Sequence, residues 1–452
     1  MTDVAAVLPG EVAAAPPRSD EEAARPTEAL PLRQLVQITL YWLGISALQG
    51  GIGIAVQKRL PAMVPAGETG TYIAIQGLLI LWVNILVQPT VGMLSDYTTS
   101  RWGRRKPYIA IGATLDVVFI AGFALSNSYL SLVAFLALLQ FSSNVAQGPF
   151  QGYVPDLVPE RQVGLASALL GAMQTVGFVI GGAIVTLALL VGGDHPDYTI
   201  PTIVVGLIEF ATAVGTLRWV REGGAPRDRR GRSWWAIGRS AWATDILRER
   251  SFVLLVLSRL MFFAGVNAML GFWVIFLDRT QHLSNADQGV LYPLTQLVVA
   301  LVTAVTTIPS ARLADRFGRK RVIYVAAAIG AAGLLVMAGS PTFAVFLLGA
   351  AILSTASGTF LAVDWALMTD IIPKAASGRY MGISNIAVAA AGALAGAVVG
   401  PVIDVVGGAA QAGDGPRVGF MVAIVFFGLA AWFLRGVDPR PREERTAWPV
   451  GG

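Results

Sequence analysis

The residues of this chain that could do chemistry are few, and the most regular of them are uncharged. Gln140, Asn144, Gln147 and Gln151 are spaced four, three and four apart, which places them on one face of a helix. Side-chain amides donate and accept hydrogen bonds, as a site for a polyhydroxyl ligand must. A second reading stays open, because amides also tie membrane helices to one another. Gln49, Asn84 and Asn267 are weaker candidates for the same cavity. At an offset of 214 residues the stripe is answered by Ser354, Gly358, Leu361 and Trp365. One wall would then hydrogen-bond, and the other would offer an aromatic plate to a sugar ring.

Four ionisable residues lie well inside apolar runs: Asp116, Glu209, Arg259 and Asp364. Such groups are costly in lipid and are functional candidates for that reason. Arg259 and Asp364 stand at matching depth, roughly 10 Å into the membrane at ~1.5 Å per residue, so they can meet if their helices are neighbours. Asp364 would then be the first candidate for a coupling acid, against a permanent structural ion pair. Asp116 and Glu209 are either structural neutral acids or alternative coupling groups.

Several chemistries are excluded. The chain has no Cys, so it has no disulfide, thiolate metal site or thiol nucleophile. Its two histidines, His195 and His282, fall in expected outer loops, which removes most metal and triad chemistry. No Gly-rich phosphate loop followed by Lys is present, which disfavours an ATP-driven pump. The expectation is no enzyme, no metal and no cofactor, with a proton as coupling ion.

The element that positions these residues is a short charged joint. Gln88 to Ile109 runs QPTVGMLSDYTTSRWGRRKPYI, and Ile308 to Val322 repeats its order as IPSARLADRFGRKRV. Asp96 answers Asp315, Arg101 answers Arg316, Gly103 answers Gly318, and Arg104 answers Arg319. Bases right after an apolar span hold a loop in the cytoplasm, and glycine permits the tight turn. The expected gate comprises Gly92, Asp96, Arg101, Gly103, Arg104, Arg105 and Asp156, then Asp315, Gly318, Arg319 and Asp370. Asp96 and Arg104 should meet Asp156, Asp315 and Arg319 should meet Asp370, and both sets should stabilise the outward-open state.

The 452 residues are 55% hydrophobic and 13% charged, with a mean hydropathy of +0.64. That much apolar surface implies lipid as solvent. The net charge of +5 lies in short loops between apolar spans, so it is no nucleic-acid footprint. Spans are expected at about 34–56, 71–95, 107–127, 129–157, 163–192, 199–220, 252–277, 288–312, 322–339, 341–372, 379–404 and 418–435. The fold class is therefore an all-α membrane protein of about twelve transmembrane helices. Residues 1–32 are expected to be a disordered cytoplasmic tail, 33–220 and 251–436 two six-helix halves, 221–250 a cytoplasmic linker, and 437–452 a second cytoplasmic tail. Trp234, Trp235 and Trp242 make the linker amphipathic, suited to the membrane surface or to packing on loops. Basic loops alternate with neutral or acidic ones, which puts both termini in the cytoplasm. Asp156, Pro159, Gly164 and Gly182 recur as Asp370, Pro373, Gly378 and Gly396, so the halves are pseudo-symmetric parallel repeats.

Two such halves with a G-x-x-x-D…R-x-G-R-R joint resemble the major facilitator superfamily over nearly all of the chain after the tail. Val87 to Ile109 and Asn144 to Pro149 are similar to the plant sucrose:proton symporters and, more distantly, the glycoside–pentoside–hexuronide symporters. The resemblance implies a monomeric cell-membrane (inner-membrane) symporter importing a sugar by alternating access. It also implies that the seventh and tenth helices line the cavity and that the third and sixth do not. The chain departs from those symporters where they carry an Asp, here Gln140, and an Arg, here Gln151, so their coupling route does not transfer. A proton-coupled drug or metabolite exporter and an uncoupled sugar facilitator are the alternatives. Gly400-Pro401 in the eleventh span partly resembles the exporter pattern. A non-transporting membrane sensor would call for a signalling domain, and the tails are short.

Overall fold

The computed structural model describes residues 28–193, 195–222, 231, 233–235, 249–371 and 377–438. The expectations for 1–27, for most of the linker including Trp242, and for 439–452 lie outside the described residues. So do the side chains of Trp365 and Asp370.

Among the described residues, twelve helices are long and apolar enough to cross a membrane. We label them α1 (Leu32–Ala62), α2 (Thr69–Asp96), α3 (Lys106–Ala124), α4 (Tyr129–Leu157), α5 (Val163–Val191), α6 (Thr199–Trp219), α7 (Arg250–Gln281), α8 (Asn285–Phe317), α9 (Arg319–Ala338), α10 (Phe343–Ile371), α11 (Ser377–Gly407) and α12 (Asp414–Arg435). Among the described residues there is no strand.

Local chemistry sets the ends. Ser128 and Ser131 form a reciprocal capping box that starts α4, and Ser284 accepts from the Asp287 N–H at 3.1 Å to start α8. Helix α8 runs five residues past the expected end at 312, through the charged Asp315-Arg316 pair. It stops at Gly318, whose φ of 90° breaks the helix where charge alone does not. Large apolar side chains such as Trp82, 63% exposed, face outward from the bundle, as lipid-facing positions do.

The α1–α6 and α7–α12 halves meet through α2 against α11, α5 against α8, and α1 against α7. The described contacts between them gather at the end opposite the joints, here called the far end. A Cβ on Gly70 would lie 2.3 Å from the Gly400 carbonyl oxygen, and one on Gly400 2.2 Å from that of Gly70, so α2 and α11 touch backbone to backbone. Gly182 is similarly pressed against the Gln296 side chain of α8.

Candidate functional site

The far-end seal is completed by polar contacts. The Asp404 carboxylate on α11 accepts from the Gly70 N–H at 2.9 Å and the Thr71 N–H at 2.6 Å. It thereby caps the N-terminus of α2, where unpaired N–H groups and the helix dipole favour an anion. Lys58 of α1 reaches across to Asp278 of α7 at 2.7 Å, donates to Gln288 of α8, and lies 5.2 Å from the Tyr292 ring centre. Gln57 accepts from the Val274 N–H at 3.2 Å. The sequence reading missed this set, because Lys58, Asp278 and Asp404 sit at helix ends and read as loop charges.

At the other end, the first joint is a closed network inside one half. Arg105 donates to Asp96 at 2.9 Å and to the Pro149 carbonyl at 2.7 Å, and pairs with Asp156 at 2.8 Å. Arg104 also bonds Asp156. The expectation that Asp96 meets Asp156 directly is corrected: Arg105 bridges the two like charges, which would otherwise repel. Its guanidinium fits because α4 breaks between Phe150 and Tyr153, and a Cβ on Gly152 would fall 1.1 Å from its Nη1. Glu222, unforeseen, accepts from the Arg105 and Lys106 N–H groups at 3.0 and 2.8 Å, capping α3, and from Tyr153 at 2.8 Å. Gly103 turns with φ 114°, a Cβ on Gly92 would lie 3.5 Å from the Gly148 carbonyl oxygen of α4, and Arg101 stays exposed beside Trp102. This network is formed while the far end is sealed.

The second joint differs. Asp315 is exposed, Arg319 is half-buried, and nothing lies within 4 Å of a Cβ on Gly318. The expected contacts with Asp370 lie outside the described residues.

Between the two ends, Arg259 and Asp364 meet at 2.6 Å, with exposures of 3% and 0%. The matching depth on α7 and α10 thus places them side by side, and the Phe263 ring lies 5.8 Å from the guanidinium. Asp116 and Glu209 are fully buried within the first half.

The amides divide. Asn144 is buried and donates to Asn84 of α2 and to the Gln140 carbonyl, each at 2.6 Å, so it ties helices together. Gln140 and Gln147 are half-buried, and Gln151 is exposed at the joint end. Between Tyr41 and Gln57 the only exposed positions are Gln49 and Gly53, one turn apart, and a Cβ on Gly53 would meet nothing within 4 Å. This otherwise enclosed stretch of α1 therefore presents the Gln49 amide to open space, with room beside it at Gly53. Asn267 donates to its own helix at Phe263 at 2.8 Å, with Gly392 of α11 beside it. On α10, Ser354 bonds the Ala350 carbonyl and Gly358 is pressed against Thr303 and Thr306 of α8, leaving Leu361 exposed. Neither Ser354 nor Gly358 offers the facing wall that the offset implied.

A bundle of two six-helix halves, sealed at one end and carrying buried charges midway, has the architecture of a membrane transporter rather than an enzyme. The sequence profile of the Major Facilitator Superfamily matches residues 38–303 and 294–450, and the chain belongs to that superfamily. It is similar to the sucrose transport protein SUT1 of Oryza sativa subsp. japonica, 32% identical over an alignment of 120 residues, with 22% of each chain covered. A membrane-associated transporter protein of Homo sapiens is 28% identical over 144 residues, 27% of each. The matched segments thus span about a quarter of these relatives. Among solved structures, an inward-facing, occupied bacterial homolog of the human lysosomal transporter Spinster has a TM-score of 0.73 at 15% identity, covering 94% of this chain and 100% of that one. A D-xylose-proton symporter has a TM-score of 0.66 at 17% identity, covering 90% and 97%. At those identities the likeness is one of fold.

Proposed function

We propose that this protein is a secondary active transporter that takes up a sugar or glycoside with protons by alternating access. The observation that carries the reading is the asymmetry of the seal: the halves are pressed together at the far end, while an ion pair sits buried between that seal and the basic joints. With the basic loops in the cytoplasm, the arrangement is an inward-facing state. The solute would enter beside Gln49, Gln140 and Gln147, whose amides suit hydroxyl groups. The short stretch of likeness to sucrose transport proteins and the xylose-proton symporter fold support a sugar and a proton.

In this scheme the Arg259–Asp364 pair is the coupling element. A proton on Asp364 releases Arg259, and its loss restores a contact that a lone charge in lipid would need. The test is uptake by purified protein in liposomes over a panel of sugars, glycosides and nucleosides, with and without an inwardly directed proton gradient (acid outside). Accumulation of a sugar only under the gradient is expected. Equilibration without accumulation would leave an uncoupled facilitator, and gradient-driven efflux would make it an exporter.

A further inference from the structure

A second pair of ionisable groups lies apart from the Arg259–Asp364 pair. Asp116 of α3 and Glu209 of α6 are both 0% exposed at the junction of α1, α3, α4 and α6. Each accepts one hydrogen bond from a hydroxyl on a different helix: Tyr41 of α1 donates to Glu209 Oε1, and Ser142 of α4 donates to Asp116 Oδ1. The packing is made for these contacts. Gly44, three residues after Tyr41, lets α1 approach so closely that a Cβ there would lie 2.7 Å from the Glu209 Cα. Gly112, one turn before Asp116, lies against the Ser142 carbonyl, 2.5 Å from where its Cβ would be.

The remaining oxygens are the second observation. Asp116 Oδ2 and Glu209 Oε2 are buried without a hydrogen-bond partner among the described residues. The two helices that carry them pack closely together, and a Cβ on Gly206 of α6 would lie 2.5 Å from Ile120 of α3. The groups facing them are Tyr41 from α1, the Ser142 hydroxyl from α4, and the Thr212 hydroxyl of α6, which donates to its own Glu209 carbonyl at 2.8 Å. Helix α5, packed on α1 and α6, has no titratable side chain in Val163–Val191. No ion pair joins either carboxyl to a cation among the described residues. Two bare carboxylates fully shielded from solvent, with one neutral hydroxyl donor each, are far too costly to persist.

We propose that Asp116 and Glu209 form a proton-binding pair that holds at least one proton on the two unpartnered oxygens. Gain or loss of that proton is felt by α1 and α4 through the Tyr41 and Ser142 hydroxyls. These helices carry Gln49, Gln140 and Gln147, so the pair links protonation to the shape of the solute path. The link rests on the transporter reading above, whereas the proton site does not.

The two parts are tested separately. Infrared difference spectra of the full-length protein in lipid vesicles, in sodium-free buffer between neutral and alkaline pH, report the carbonyl stretch of a protonated carboxyl. A band at neutral pH is expected, lost or halved in Glu209→Gln and in Asp116→Asn but retained in Asp364→Asn. Tyr41→Phe keeps both acids and should shift the band, which covers the case that the acid variants fail to fold. A band indifferent to all of these substitutions, or one that grows in only when sodium is withdrawn, would overturn the site, the latter in favour of a sodium site. For the link, Glu209→Gln should lower pH-gradient-driven accumulation at least tenfold. Unchanged accumulation with the band lost would overturn the link alone.

Discussion

At the far end the halves touch backbone to backbone and are tied by Asp404 and Lys58, whereas the first joint keeps its ion pairs inside one half. Both ends are rich in charge, but they use it differently. Far-end charges cross the interface and must part if the halves rock. The Arg105 network holds α2, α3 and α4 as one body and can persist through such a movement. Charge at the joint therefore ties helices within one half, and charge at the far end ties the two halves to each other.

The largest effect should come from the backbone contact. Gly400→Val puts atoms where the Gly70 carbonyl lies and should cost the sealed state about 3 kcal/mol, a ~150-fold shift toward far-end opening. Modification of a Cys placed at Ala74, buried beside Gly396, should rise accordingly. Asp404→Ala removes two charge-assisted hydrogen bonds and should cost about 2 kcal/mol, or ~30-fold, by the same labelling. Lys58→Met should be milder, about 1 kcal/mol or ~5-fold, since Asp278 keeps its Tyr292 donor and some exposure. Asp96→Asn should shift the balance no more than about 2-fold, because Arg105 retains Asp156 and the Pro149 carbonyl. It should instead lower thermal stability. A large change in far-end labelling in that variant would erase the distinction between the two ends.

The same distinction separates what was legible in the sequence from what was not. Apolar spans and a parallel repeat declare twelve helices in two halves, because lipid demands both length and composition. Arg259 and Asp364 could be matched in depth from the sequence, while the packing of α7 beside α10 that lets them meet is what the fold adds. Asn144 could not be assigned: its spacing fits a cavity face equally well, and only the position of Asn84 on α2 shows it tying helices. Arg105 was grouped with its neighbours because nothing local distinguishes the base that meets a helix break from those left in solvent. The partners of Asp404 and Lys58 stand on the opposite half, hundreds of residues away in sequence, so no local pattern foretells them.

The central claim is that two rigid halves exchange which end is sealed. Its most direct measurement uses paired spin labels in the cysteine-free chain, one pair at Ala66 and Ala410 on the far end and one at Thr99 and Ala311 on the joint end. Pulsed dipolar spectra would be compared between the otherwise native protein and the Asp404→Ala, Lys58→Met double variant in lipid. The account predicts that the double variant lengthens the far-end distance and shortens the joint-end distance together. A far end that opens while the joint-end distance stays fixed, or lengthens as well, would contradict it.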